Sequence, residues 1–495
     1  MNAAGAGLDR NAVLAGGAIV VALAALTSAI VVNAEVNAGL LVAAVVAAAP
    51  LVYSVFARWE RLLTALLLVI LFIPIKRYRL PGNLPFDLEA YRVIAALVIV
   101  VWIAALLIDP RVRLQRSILD RRIGVLIIAV LASEVANLGS VSSLSSYVIK
   151  SVTFLLSYVL IFYVITCVAR TSRIIDVLVK TLVGGGSIVA FFAIVERRTQ
   201  FNIFDHLHSV MPALTFAGGD STERGGHFRA IGSAQHPIAL SAVMVVILPL
   251  AYYLIASSRK RIWWVAGALL LMGNLATASR TGIVMLLVAG LVLLMLRGTD
   301  LRRFWPLLLP GLIAIHIALP GALGSVRAGF FPKGGLIAQQ RGNQFDIRNQ
   351  NSRLSRIGPS MHQVEQRPLF GLGYGTRITG IGEKFTNAEV LDDQWLGSLL
   401  ETGLAGIIAW VALIWTAIRR FAREGRIDTS PRGTLLVAIT ASIAAYAVGM
   451  FTYDAFSFIQ VTFVFWILLA LGSARLRAND DDSPSAGTAE PAELC

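Results

Sequence analysis

The sequence predicts an all-α polytopic membrane protein of about 12–14 transmembrane helices, with one large and one medium outer loop. Hydrophobic residues make up 57% of its 495 positions and charged residues only 15%. Apolar runs of roughly 17–22 residues recur along the chain, each long enough to cross about 30 Å of hydrocarbon. Basic residues gather in alternate short loops, the bias that keeps positive loops on the cytoplasmic side. That bias also accounts for the net charge of +14, so the charge implies a lipid bilayer as partner and no nucleic acid.

The apolar runs fall at about 12–32, 37–57, 62–75, 90–108, 122–138, 148–169 and 174–195. They continue at 234–256, 262–279, 281–297, 304–320, 394–418, 433–451 and 455–473. The first run leads into the second without a small-residue cleavage pattern and reads as a retained helix. Counting charged loops puts both termini in the cytoplasm and the long polar loops 196–233 and 321–393 outside. One short loop, with Lys76, Arg77 and Arg79, goes against the trend. Residues 1–473 therefore read as one transmembrane domain whose two outer loops form the site. Residues 474–495, with Asp480, Asp481 and Asp482, read as a disordered cytoplasmic tail. Cys167 lies in an apolar run and Cys495 at the terminus, so neither a disulfide framework nor a cysteine metal site is available.

Two arginines stand out. Arg229 immediately precedes an apolar helix and would sit at the outer face of the membrane. Arg280, in Ser279-Arg280-Thr281-Gly282, is flanked by apolar residues on both sides. An arginine placed deep in a bilayer costs roughly 2.5–3.5 kcal/mol on insertion scales and is rarely idle. The helix count puts it at the outer end of a hairpin, on the same side as Arg229. Paired guanidinium forks match phosphate oxygens and stay charged; snorkelling to the interface is the plainer explanation of each.

The rest of the polar material is less specific. Arg353 and Arg356 lie one helical turn apart on a segment, 352–366, that reads as a short surface helix. Phe370-Gly-Leu-Gly-Tyr374-Gly-Thr follows no βα unit, so it reads as a sharp turn and not as a phosphate loop. Asp392 and Asp393 begin a helix and are either N-cap groups or acids for chemistry. Glu401 and Glu134 are acids near the outer ends of apolar helices, either functional or paired with a buried arginine. Four of the six histidines, His206, His208, His227 and His236, cluster in the first outer loop, at a spacing that fits no familiar metal set. His236 and Tyr374 are further site candidates.

The segments Leu275 to Gly282, Pro368 to Gly375, Asp392 to Gly406 and Arg229 to Pro237 resemble, in order and spacing, the O-antigen ligase and polymerase superfamily. The resemblance covers roughly 225–410. It implies a GT-C-like membrane glycosyltransferase of the cell envelope, in the bacterial inner membrane, acting on the outer, periplasmic side. The implied donor is an undecaprenyl-pyrophosphate-linked glycan and the implied acceptor a glycan hydroxyl. A chain-length regulator or flippase is a further candidate partner. In the superfamily, arginines at the places of Arg229 and Arg280 are thought to hold the pyrophosphate. Lipid A ligases carry His-Asn where this chain has Asp392-Asp393, and acidic residues there look more like exopolysaccharide polymerases.

The expected reaction is metal-independent, inverting displacement that needs no cofactor. Arg229, Arg280, Arg353 and Arg356 would meet the charge of the leaving pyrophosphate, and Asp392 would act as base, with Asp393 and Glu401 behind it. The expected product is a polysaccharide, with ligation to a different acceptor as the alternative within the superfamily. A lipid-linked oligosaccharide transporter or flippase is the rival from another class, and a scaffold or sensor a third. Two large loops on one side and acids at a helix entrance favour an enzyme, because transporters spread functional charges near the midplane.

Overall fold

The computed structural model describes residues 58–81, 88–109, 112–218, 222–224, 227–258, 260–301, 357–377 and 391–478, with isolated positions between 301 and 357. The apolar runs at 12–32 and 37–57, most of that at 304–320, Arg353, Arg356, the His227 side chain and residues 479–495 lie outside the described residues.

The chain begins with α1 (Trp59–Phe72), β1 (Tyr78–Arg79) and α2 (Ala90–Ile108). Then come α3 (Asp120–Ala136), the short α4 (Leu138–Ser143), α5 (Ser145–Val168) and α6 (Ser172–Thr199). The loop after α6 holds a 3₁₀ turn (Ile203–His206), α7 (Leu207–Val210), β2 (Thr215–Phe216), β3 (Thr222–Arg224) and β4 (His227–Arg229). The remaining helices are α8 (Pro237–Ser257), α9 (Ile262–Ala276), α10 (Arg280–Leu301), α11 (Ile357–Gln366), α12 (Gln394–Ile427), α13 (Pro431–Gly449) and α14 (Ile459–Arg477).

Among the described residues, eight helices are long and apolar enough to cross a membrane: α2, α5, α6, α8, α10, α12, α13 and α14. These meet the apolar runs read from the sequence. The run at 62–75 is short because α1 ends at Phe72, and Pro74 follows it. The 262–279 run yields a 15-residue α9.

Helices α8, α13 and α14 are sheathed by the others, with 83–94% of each spanning window buried, while α2 and α10 keep under a third buried. Burial on all sides fits residues apolar all round. The core reads accordingly: Trp466, Phe463, Phe465 and Tyr446 are fully enclosed. Helix α13 packs against α8, α10 and α12; α12 also packs on α3, α14 on α5, and α9 on α6.

The bundle has two unlike ends. At one, arginines cap the last carbonyls of neighbouring helices, where the helix dipole favours positive charge. Arg477 Nη2 donates to Thr166 O at 2.7 Å, Arg432 Nη2 to Leu476 O at 2.9 Å and Arg297 Nη2 to Gly425 O at 2.9 Å. The other end carries the loops. There β1 pairs antiparallel with β2 and β3 with β4, so loop 73–81 is joined to the loop between α6 and α8.

That joining explains the basic loop that defied the charge trend. Arg77 is 4% exposed; it donates to Gly232 O and Ala234 O and pairs with Asp205. Lys76 Nζ donates to Ser457 O at 3.2 Å, and its backbone N–H to Glu89. Burial, and then Lys150, push the Lys76 ammonium below its ordinary range. These charges are fasteners within the loop-rich end.

Candidate active site

The loop-rich end divides into a cationic half and an acidic half. In the cationic half, Arg229 ends β4 and is 4% exposed, and its Nε donates to Thr277 O at 2.9 Å. Beside it, Ala230 N donates to Ala276 O, and Arg197 Nη1 to Phe228 O and Ala276 O. Strand β4 is thereby sealed onto the turn between α9 and α10. Three residues after Thr277, Arg280 opens α10. The turn is tight: Ala278 has φ +47, and Thr277 Oγ1 donates to Asn274 O. A Cβ on Gly282 would overlap Ser241 Oγ and Asn274 Oδ1, so only glycine lets α10 lie against the Ser241–Asn274 hydrogen bond. The structure thus brings Arg229 to the turn before Arg280, at a helix N-terminus whose dipole favours anions.

Glu196 and Arg77 hold the segment behind Arg229. Glu196 accepts from Ile231 N at 3.1 Å and Gly232 N at 2.7 Å, while Asn202 Nδ2 donates to Gly232 O. Gly232 has φ +56, which these bonds fix before α8 begins at Pro237. Removing the acceptor leaves two buried N–H groups unmet, at about 1–3 kcal/mol each. Glu196→Ala is therefore expected to lower the melting temperature of the detergent-solubilised protein by several degrees; unchanged melting contradicts this role. His236 Nδ1 caps α8 by accepting from Ile238 N, and its ring stacks on Phe458 at 5.8 Å. The cap and the stacking fix the ring at the start of α8.

The acidic half forms where α12 breaks. Gly403 has φ +61 and ψ −162, outside the reach of other residues, and the chain around 368–373 fills the break. Leu372 N donates to Leu400 O, Gly373 N to Glu401 O, Leu404 N to Pro368 O and Ala405 N to Leu369 O. The glycines at 371, 373 and 375 all have positive φ, so Pro368 to Gly375 is a sharp turn, as the sequence suggests. A Cβ on Gly403 would lie 2.5 Å from the Leu369 carbonyl, and the backbone strain adds about 1–3 kcal/mol. Gly403→Ala is expected to lower the melting temperature markedly, which a thermal-shift assay in detergent reads; a neutral effect contradicts this packing.

Arg377 follows that turn and is the hub of the acidic half. Its Nη2 donates to Asp454 at 3.0 Å and its Nε lies 3.9 Å from Glu401. Burial opposes its charge, but Asp454, Glu401 and Asp393 outweigh that and raise its pKa above the ordinary value. The side chain reaches its partners over Gly397, where a Cβ would stand 2.9 Å from Nη2. Asp393 caps α12, accepting from Leu396 N at 3.1 Å, and Asp392 sits at φ +50 just before it. Gln394 locks this helix start to the 450–458 turn, its N–H donating to Met450 O and its Oε1 accepting from Phe456 N. Tyr374 is buried on the Gly-rich turn; burial, then Glu401 and Glu134, push its phenol up, so the hydroxyl stays protonated.

The 450–458 turn bridges the halves. Phe458 stacks on His236 and on Tyr453, and Asp454, next in sequence, holds Arg377. The structure therefore gathers Arg229, Arg280 and His236 on one side and Tyr374, Asp393 and Glu401 on the other, with Asp392 adjoining. Sequence reading missed Arg377, Asp454, Gln394 and Glu196, whose partners lie far along the chain. Among the described residues no three His, Cys, Asp or Glu side chains converge as metal ligands.

Residues 265–411 match the family model described as O-antigen ligase. The matched stretch spans α9, α10, the Gly-rich turn and the first half of α12, under a third of the chain. It holds Arg280, Tyr374, Arg377, Asp392, Asp393 and Glu401, while Arg229, His236, Glu134 and Asp454 lie outside it. Over those residues the O-antigen ligase match bears out the resemblance to the ligase and polymerase superfamily. No curated protein matches the chain.

Proposed function

We propose that the protein is a membrane glycosyltransferase that joins an undecaprenyl-pyrophosphate-linked glycan to the hydroxyl of an acceptor glycan. The observation that carries this reading is the seating of Arg229 against the turn that opens α10 with Arg280, in and beside the ligase-matched stretch. Two guanidinium groups at a helix N-terminus are suited to a pyrophosphate whose charge grows as it leaves. They supply that charge without a metal, and Arg353 or Arg356 would add to it. A carboxylate of the acidic half takes the proton from the attacking hydroxyl, Asp392 being the first that the sequence nominates. Direct displacement inverts the anomeric centre. Asp392-Asp393, in place of the His-Asn of lipid A ligases, favours polymerisation over ligation.

The arginine-capped end faces the cytoplasm of an inner membrane and the loop-rich end the outside, with both termini inside. A gene deletion tests this reading in cells. Lipid-linked glycan is expected to accumulate in the outer leaflet, open to a membrane-impermeant label in intact spheroplasts. Accumulation closed to that label contradicts a transferase and favours a transporter.

A further inference from the structure

Several carboxylates gather at the acidic half, and three of them are already engaged. Asp393 caps α12, and Asp454 accepts from Arg377 Nη2 at 3.0 Å and from the Ser457 hydroxyl at 2.9 Å. Glu401 lies 3.9 Å from Arg377 Nε. A carboxylate already bonded to a helix N-terminus, a hydroxyl or an arginine has fewer lone pairs open to an acceptor hydroxyl. Glu134 differs. Both of its carboxylate oxygens are buried, and neither has a hydrogen-bond partner among the described residues.

Its backbone is held firmly beside the Gly-rich turn. Ser133 Oγ donates to Phe370 O at 2.7 Å and to Glu401 O at 2.8 Å, which ties the end of α3 to both walls of the break in α12. Asn137 Nδ2 donates to Ser133 O, and Asn137 Oδ1 accepts from Arg367. Glu401 and the Tyr374 phenol lie close enough to sense a charge on Glu134. Arg377, 3.9 Å from Glu401 and with a side chain 9% exposed, keeps two buried donors, Nε and Nη1, with no hydrogen-bond partner among the described residues. An unmet acceptor on the helix end tied to the Glu401 backbone, and unmet donors on the arginine beside the Glu401 carboxylate, are what a sugar hydroxyl and its neighbouring oxygen need.

We propose that Glu134 is the general base of glycan transfer and that Arg377 Nη1 holds a neighbouring oxygen of the acceptor sugar. This rests on the transferase reading above. In the step, the acceptor O–H bond breaks and its proton passes to the Glu134 carboxylate. The freed electron pair forms the bond to the donor's anomeric carbon. The bond from that carbon to the pyrophosphate oxygen breaks, and its electron pair leaves with the pyrophosphate, opposite Arg229 and Arg280.

The test uses the full chain in detergent, with lipid-pyrophosphate-linked glycan as donor and the lipid-free glycan as acceptor. Glu134→Gln is expected to slow transfer by about 10²–10⁴-fold, the usual contribution of a general base, and to abolish the acid limb of the pH–rate profile. Binding of fluorescent undecaprenyl pyrophosphate is expected to persist. Glu134→Asp is expected to fall between the two and to keep the acid limb. A Glu134→Gln chain within a few-fold of the unaltered rate, or one that retains the limb, overturns the proposal. So does loss of pyrophosphate binding in both variants, which would mark a structural role, or abolished transfer in Asp392→Asn with Glu134→Gln active. Transfer by neither the unaltered chain nor any variant overturns the transferase reading itself.

Discussion

Arg280→Ala is expected to lower glycan transfer by about 10²–10³-fold, the loss typical of removing one preorganised group that meets developing charge. The residue opens α10 beside the Arg229-bound turn, so its guanidinium adds to a helix dipole already directed at anions. Arg280→Lys keeps a point charge but loses the planar fork, and its rate is expected to lie between wild type and alanine. Initial rates of product formation in membranes matched for protein level check both. Near-normal transfer by Arg280→Ala would show that Arg280 does not hold the leaving group.

The largest stability effect is expected at Arg377. Removing one partner of a buried ion pair leaves uncompensated charge and typically costs about 3–5 kcal/mol. Arg377→Leu strands Asp454, and with it Glu401, at the break in α12, so its melting temperature in detergent is expected to collapse. Adding Asp454→Asn and Glu401→Gln to Arg377→Leu removes the stranded charges and is expected to restore much of the loss, a coupling that a mutant cycle measures. If the single and triple variants melt alike, the cluster does not hold the fold together as described.

The helices were legible because a bilayer demands long apolar runs: that at 90–108 reappears as α2 with the same ends, and those at 148–169 and 455–473 as α5 and α14 with ends shifted by a few residues. The break before Arg280 was legible too, since a charge in an apolar stretch must sit where the chain turns. The candidate site was only half legible. Arg229 and Arg280 were visible as isolated cations, but their meeting depends on a hydrogen bond to Thr277 O across 48 positions. Arg377 looked like one more arginine of a polar loop because its partner Asp454 lies 77 residues on. The break at Gly403 was hidden inside an apolar run whose pattern reads as unbroken helix. Glycine's left-handed backbone and long-range pairing leave no periodic mark.

The transferase reading requires that this chain alone carry out the transfer. Purified full-length protein in detergent, given lipid-pyrophosphate-linked glycan and an acceptor glycan with no gradient and no second compartment, is expected to yield the joined glycan and release undecaprenyl pyrophosphate in equal amount. Folded protein that yields no joined glycan there, yet moves the lipid-linked donor across the bilayer of liposomes, would contradict it.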